Sequence, residues 1–136
     1  MEFQAQRKVY VIDDDDAVRE SMRAVLESFE IDVSDYRSAG DFLERVAAPT
    51  NGCMLLDLHM PGMSGLELLE VMRQRGWDLP VIAMTGRGDD VLKERVLRAG
   101  VIVLLDKPVD ESTLTHALDR AFARSATTVR SMLTKT

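Results

Sequence analysis

Residues 53–65 read Cys53-Met54-Leu55-Leu56-Asp57-Leu58-His59-Met60-Pro61-Gly62-Met63-Ser64-Gly65. An unbroken apolar run ends on an acid and is followed by turn-forming residues. Such a run, short and bounded by Pro and Gly, predicts a strand buried on both faces. Pro61 to Gly65 then forms a turn, and Leu66 to Arg75 forms a helix that Gly76 can stop. A buried strand, a turn and a helix make up a repeating unit of parallel α/β architecture.

Outward from this segment the same alternation recurs. Lys8 to Ile12 is a second short apolar run ending in acids. Val18, Met22, Val25, Leu26 and Phe29 follow at helical spacing. Ile31, Val33 and Tyr36 alternate as in an edge strand, and Ala39, Phe42, Leu43, Val46 and Ala47 return to the helical period behind Ser38, a candidate N-cap. Pro49 to Gly52 breaks that helix. Toward the C-terminus, Pro80 to Met84 reads as a strand and Val91, Leu92, Val96 and Ala99 as a helix closed by Gly100. Val101 to Leu105 is the last strand, and Leu114, Ala117, Leu118, Ala121 and Phe122 mark the last helix. Past Arg124 the period is lost, so 1–124 reads as one domain and 125–136 as a tail or the start of a linker.

This pattern gives about five βα units and predicts an α/β fold, a doubly wound parallel sheet covered by helices on both faces. The 136 residues are too few for an eight-unit barrel. They suffice for a self-supporting core that needs neither disulfide nor structural metal. The single cysteine, Cys53, lies in an apolar run and is expected to be a buried free thiol in a reducing cytoplasm. Met1 to Lys8 lacks the apolar core of a signal peptide, and Val101 to Leu105 is far too short to span a bilayer. A net charge of −6, with no Lys/Arg run, argues against direct nucleic-acid binding by this chain.

In doubly wound sheets, ligands sit beyond the carboxyl ends of the strands. The residues at those ends are Asp13 and Asp14, Asp57, Thr85 and Lys107. Each has an ordinary alternative. The run Asp13 to Asp16 suits a solvated helix N-terminus, and Asp15 and Asp16 are read that way, one of them as the N-cap. Asp57 suits a turn before Pro61, Thr85 the start of a turn, and Lys107 an ordinary surface lysine. Their convergence on one sheet edge is what a packed core alone does not explain. Two carboxylates 4 Å apart repel by about 4 kcal/mol at an effective dielectric of 20. A hard divalent cation relieves this, and few all-oxygen protein ligands suit Mg²⁺. A nucleophilic carboxylate beside Mg²⁺, a lysine and a hydroxyl is the equipment of phosphoryl transfer.

These residues resemble response-regulator receiver domains of two-component systems. The resemblance rests on Val11-Ile12-Asp13-Asp14, on Leu55 to Gly65, on Met84-Thr85-Gly86 and on Asp106-Lys107-Pro108, and covers about residues 8–124. Thr85 to Asp89, with Ser38 to Leu43, is most similar to the FixJ-type subgroup. The resemblance implies a flavodoxin/CheY-like three-layer sandwich with strand order 2-1-3-4-5. It implies that Asp57 accepts a phosphoryl group from a sensor histidine kinase or phosphotransfer protein. Asp14 and Asp57 would bind Mg²⁺ through side chains and His59 through its backbone carbonyl, while Asp13 would hold a metal-bound water. Lys107 would pair with the phosphoryl group, its peptide bond to Pro108 would be cis, and Thr85 would report phosphorylation to the face of the fourth helix, fifth strand and fifth helix. That face is a candidate homodimer interface. FixJ-type relatives usually carry a DNA-binding domain after the receiver and none is visible, so either an output domain is missing or the chain acts through protein contacts.

One departure stands out. Receivers usually carry Tyr or Phe where this sequence has Leu104, so the conventional partner of the threonine switch is lacking. An exposed apolar stripe around Val101, Val103 and Leu104 is expected instead. His59 and Arg87 flank the approach to Asp57 and are expected to tune the lifetime of an acyl phosphate. Two other functional classes fit less well. A haloacid-dehalogenase-type phosphatase needs a second Asp where His59 stands. A phosphorylation-independent interaction module on the same fold would usually have lost some of the acidic or lysine positions.

Overall fold

The computed structural model describes residues 7–49, 51–86 and 90–134. Its strands are β1 (Lys8–Ile12), β2 (Asp32–Tyr36), β3 (Cys53–Asp57), β4 (Val81–Thr85) and β5 (Val103–Asp106). Its helices are α1 (Asp16–Ser28), α2 (Ala39–Arg45), α3 (Gly65–Gln74), α4 (Asp90–Arg98) and α5 (Glu111–Thr134). The strands form one sheet in the order β2-β1-β3-β4-β5, and every pairing is parallel. The expected architecture and strand order are both present.

The sequence explains the layers. All five residues of β3, and all five of β4, are buried, as continuous apolar runs require when helices cover both faces. Alternate residues feed two cores. Tyr10, Ile12, Met54, Leu56 and Ala83 face α2, α3 and α4, whereas Val9, Val11, Leu55, Ile82 and Met84 face α1 and α5. Phe42 is fully buried and meets Tyr10, Tyr36 and Trp77 edge-on, with ring centroids 5.8, 5.2 and 6.1 Å away. Such aromatic pairs each contribute about 0.5–1.5 kcal/mol beyond their area. Cys53 is buried, and desolvation pushes its thiol pKa up to about 12, so it packs as a small apolar residue.

Helix starts follow side-chain chemistry. Asp15 caps α1 by accepting from Val18 N at 3.1 Å, and Ser38 caps α2 by accepting from Asp41 N at 2.9 Å. α3 begins with a reciprocal capping box: Glu67 N donates to Ser64 Oγ, and Ser64 N donates to Glu67 Oε1. The Ser64-x-x-Glu67 spacing carries that signal, which the reading of Pro61 to Gly65 as a plain turn overlooked.

Three expectations are corrected. α5 continues past Arg124 to Thr134, because residues 125–134 contain no Gly or Pro to end a helix even though the apolar period fades. α2 ends at Arg45, where Val46 takes extended backbone angles (φ −116°, ψ 115°), rather than reaching Ala47. Val101, Val103 and Leu104 do not form one exposed stripe. Val101 is buried, and the strand's period of two sends Val103 to the α1/α5 core and Leu104 to the opposite core. The exposed large apolar residues of α4 are Val91 and Leu97.

Gly52 shows how tightly the sheet is entered. Its φ is +107°, and a Cβ there would lie 2.1 Å from the Lys8 carbonyl oxygen. Gly62 also has positive φ (+78°) but faces open space. Urea denaturation should therefore show Gly62→Ala costing about 1 kcal/mol, for backbone strain alone, and Gly52→Ala clearly more, because backbone must also move. Equal costs would show that the β1–β3 approach is looser than described.

Candidate functional site

Parallel register assembles the site. Ile12 pairs with Leu56, Asp57 with Met84, and Thr85 with Asp106. The hydrogen bonds continue one residue beyond the strands: Leu58 N donates to Met84 O at 2.9 Å, and Lys107 N to Thr85 O at 2.8 Å. Asp13, Asp57, Thr85 and Lys107 thus leave adjacent strands at the same edge. Gly65 lets α3 start close beneath it, since a Cβ there would stand 2.8 Å from the Asp57 carbonyl oxygen.

Asp13 is fully buried, Asp57 is 3% exposed, and Asp14 is exposed. One carboxylate oxygen from each lies within 4.8 Å of the others. The Lys107 ammonium reaches into this cluster, 2.8 Å from Asp13 Oδ2 and 3.5 Å from Asp57 Oδ1. One positive charge therefore faces three negative ones. The electrostatics record the imbalance. Asp57 has a raised pKa, first through desolvation and then through the Asp13 charge and the Asp14 side chain; the His59 N–H and Lys107 pull the other way without prevailing. Burial lowers the Lys107 pKa, but its contacts with Asp13 and then Asp57 outweigh that and raise it, so its charge is secure.

The neighbouring charges are occupied elsewhere. Asp15 is spent on the α1 cap and Asp16 pairs with Arg19, which settles both as structural residues. Asp106 turns to Lys93 of α4 at 3.2 Å. Two contacts escaped the sequence reading. Arg19 Nη1 donates to the Asp13 carbonyl at 2.7 Å and ties the loop after β1 to α1. The ring of His59 reaches Thr85, with Nε2 3.0 Å from Oγ1, while His59 N donates to Asp57 Oδ1 at 3.2 Å. A lone histidine after an acid offers no signal for the ring contact; only the sheet brings the two loops together. The Lys107–Pro108 peptide is cis, as expected. Arg87 lies outside the described residues.

The donor set is chemically specific. Three carboxylates with uncompensated charge, all oxygen donors, fit a hard divalent cation of the Mg²⁺ type and do not fit zinc. A buried carboxylate beside an ammonium and a hydroxyl offers a nucleophile with two groups able to bind an incoming anion.

A family model described as the response regulator receiver domain matches residues 9–119. The transcriptional regulatory protein FixJ of Azorhizobium caulinodans is 43% identical over 118 residues, covering 87% of this chain and 56% of that protein. The solved structure of the response regulator StyR superimposes with a TM-score of 0.87 at 35% identity, covering 96% of this chain and 66% of that one. The structure of FixJ-N gives a TM-score of 0.81 at 31% identity, covering 88% of this chain and 96% of that one. The chain thus spans little more than half the length of the curated relative, but nearly all of FixJ-N.

The raised Asp57 pKa has a consequence for stability. A carboxyl whose folded pKa lies above its unfolded value destabilises the fold while ionised, and that cost disappears as pH falls and the group protonates in both states. In chelator-containing buffer at pH 7, Asp57→Asn should melt at a higher temperature than the wild type. The gain should shrink as pH falls toward the ordinary carboxyl value of 3.8. A lower melting temperature for the variant at pH 7 would mean that the Lys107 contact outweighs burial and repulsion.

Proposed function

This chain belongs to the response regulator receiver domain family and is FixJ-like, and from that membership we propose that it is a Mg²⁺-dependent phospho-switch whose acceptor is Asp57. The observation that carries the reading is the cluster itself: Asp13, Asp14 and Asp57 oxygens within 4.8 Å, with Lys107 bridging two of them. Asp14 and Asp57 would hold the cation with the His59 carbonyl, and Asp13 would reach it through water. When bound, Mg²⁺ supplies neutralising charge for the phosphoryl oxygens.

The protein's own groups do the rest. An Asp57 carboxylate oxygen attacks the phosphorus of a phosphohistidine in line, forming an acyl phosphate as the P–N bond breaks and the electron pair returns to the donor imidazole. Lys107, already held between Asp13 and Asp57, pairs with a phosphoryl oxygen. Thr85, 1% exposed at the next strand end, offers its hydroxyl to another. The donor is a sensor histidine kinase or a phosphotransfer protein. The chain is a receiver rather than an enzyme with turnover of a free substrate; the chemistry it accelerates is its own phosphorylation and dephosphorylation.

FixJ is named as a transcriptional regulator, and we assign residues 1–124 to the phosphoacceptor domain and 125–136 to a tail or the start of a linker, into which α5 runs as far as Thr134. Phosphorylation would alter the α4-β5-α5 face, and a second copy or a partner would dock there; Val91 and Leu97 of α4 are the exposed large apolar residues nearest to it in sequence. Among the described residues no helix is long and apolar enough to cross a membrane, in keeping with a cytoplasmic regulator. The acidic charge of −6 supports action through protein contacts rather than direct nucleic-acid binding by these residues.

Incubation with acetyl phosphate and Mg²⁺ should add one phosphoryl group to the wild type, read by intact-mass spectrometry, and none to Asp57→Asn. Omitting Mg²⁺ should slow labelling at least tenfold. Equal labelling of the variant would assign the acceptor to another residue.

A further inference from the structure

The contact between His59 and Thr85 goes beyond the cluster and deepens the phosphoacceptor reading, on which it rests. His59 touches both halves of the switch. Its backbone N–H donates to Asp57 Oδ1 at 3.2 Å, and its ring Nε2 stands 3.0 Å from Thr85 Oγ1, across 26 residues of sequence. Thr85 is buried, while His59 itself is exposed at the mouth of the site. The strand that lies beside Thr85 brings no phenol: Leu104 pairs with Ala83 and packs into the α2/α3/α4 core. A leucine there offers volume and no hydrogen bond.

A hydroxyl carries one proton, so it can donate to an imidazole nitrogen or to a phosphoryl oxygen, not to both. We propose that His59 is the resting-state positioning residue of the Thr85 hydroxyl: Nε2 accepts its proton while Asp57 is unmodified, and phosphorylation withdraws that proton to a phosphoryl oxygen. The exchange replaces a neutral hydrogen bond by a charge-assisted one, which is roughly twice as strong. The loop after β3 and the end of β4 are fastened by the ring in one state and by the phosphoryl group in the other. Because the ring lies at the surface, its release from Thr85 leaves it free to turn to solvent. The Thr85 step is then sensed by the residue two places after the acceptor, on the β3 side of the site, in place of an aromatic ring on β5.

Beryllofluoride with saturating Mg²⁺ serves as the phosphoryl probe on the complete chain, its affinity read by ¹⁹F NMR titration. His59→Phe keeps the ring's bulk at an exposed position and removes the nitrogen acceptor. Deleting a competing neutral hydrogen bond worth about 1 kcal/mol should tighten beryllofluoride about fivefold. In a Thr85→Val background the same substitution should change affinity less than about twofold, because nothing remains to compete for. An unchanged or weaker affinity for His59→Phe, or an equal gain in both backgrounds, overturns the latch and leaves the phosphoacceptor reading intact. Failure of the wild type to bind beryllofluoride at all overturns the phosphoacceptor reading, and the latch with it.

Discussion

Three carboxylates share one sheet edge with a single ammonium, and that imbalance is the constraint around which this molecule is built. Two carboxylates 4 Å apart repel by about 4 kcal/mol at an effective dielectric of 20, a cost that falls mainly on the buried Asp13 and Asp57 because solvent screens the exposed Asp14. The sheet holds them there regardless, because Asp13 follows β1, buried from Val9 onward, and Asp57 ends the fully buried β3, and two apolar cores fix the register of both strands. The raised Asp57 pKa is the local trace of the cost. Lys107 offsets part of it by bridging Asp13 and Asp57. The remainder is a standing demand for positive charge at a site whose central carboxylate, Asp57, is buried.

Seen this way, much of the surrounding structure serves to keep the edge from relaxing. Arg19 fastens the Asp13 carbonyl to α1, the capping box at Ser64 and Glu67 fixes the start of α3, and Gly65 allows that start to approach the Asp57 carbonyl. The parallel ladder runs one residue past β3 and β5, through Leu58 and Lys107, so Asp57, Thr85 and Lys107 are held by the sheet's own hydrogen bonds.

The sequence carried much of this in a readable form. Short continuous apolar runs bounded by turn residues suit doubly covered parallel strands, and with the helical spacing between them they imply the layered fold. The site residues could be collected because strand ends meet at one edge in such folds, a topological rule rather than a local signal. What escaped depends on three-dimensional juxtaposition. The His59 ring and Thr85 are 26 residues apart and neither contains a hint of the other. The faces of Val103 and Leu104 were misjudged as one stripe because an apolar run hides the period of two. The extension of α5 was missed because helix continuation needs only the absence of breakers, whereas the reading relied on the presence of an apolar face.

Thermal unfolding with and without Mg²⁺, in the wild type and in Asp14→Ala, tests most directly whether the carboxylate cluster exists to hold a cation. Binding to the folded state alone adds about 2.7 kcal/mol at a hundredfold excess over the dissociation constant, which for a domain of this size raises the melting temperature by several degrees. The wild type should show that rise. Asp14→Ala should be folded, at least as stable as the wild type without metal, and indifferent to Mg²⁺. A full Mg²⁺ shift in the variant, or none in the wild type, would contradict the claim that this edge is a cation site strained by its own charge.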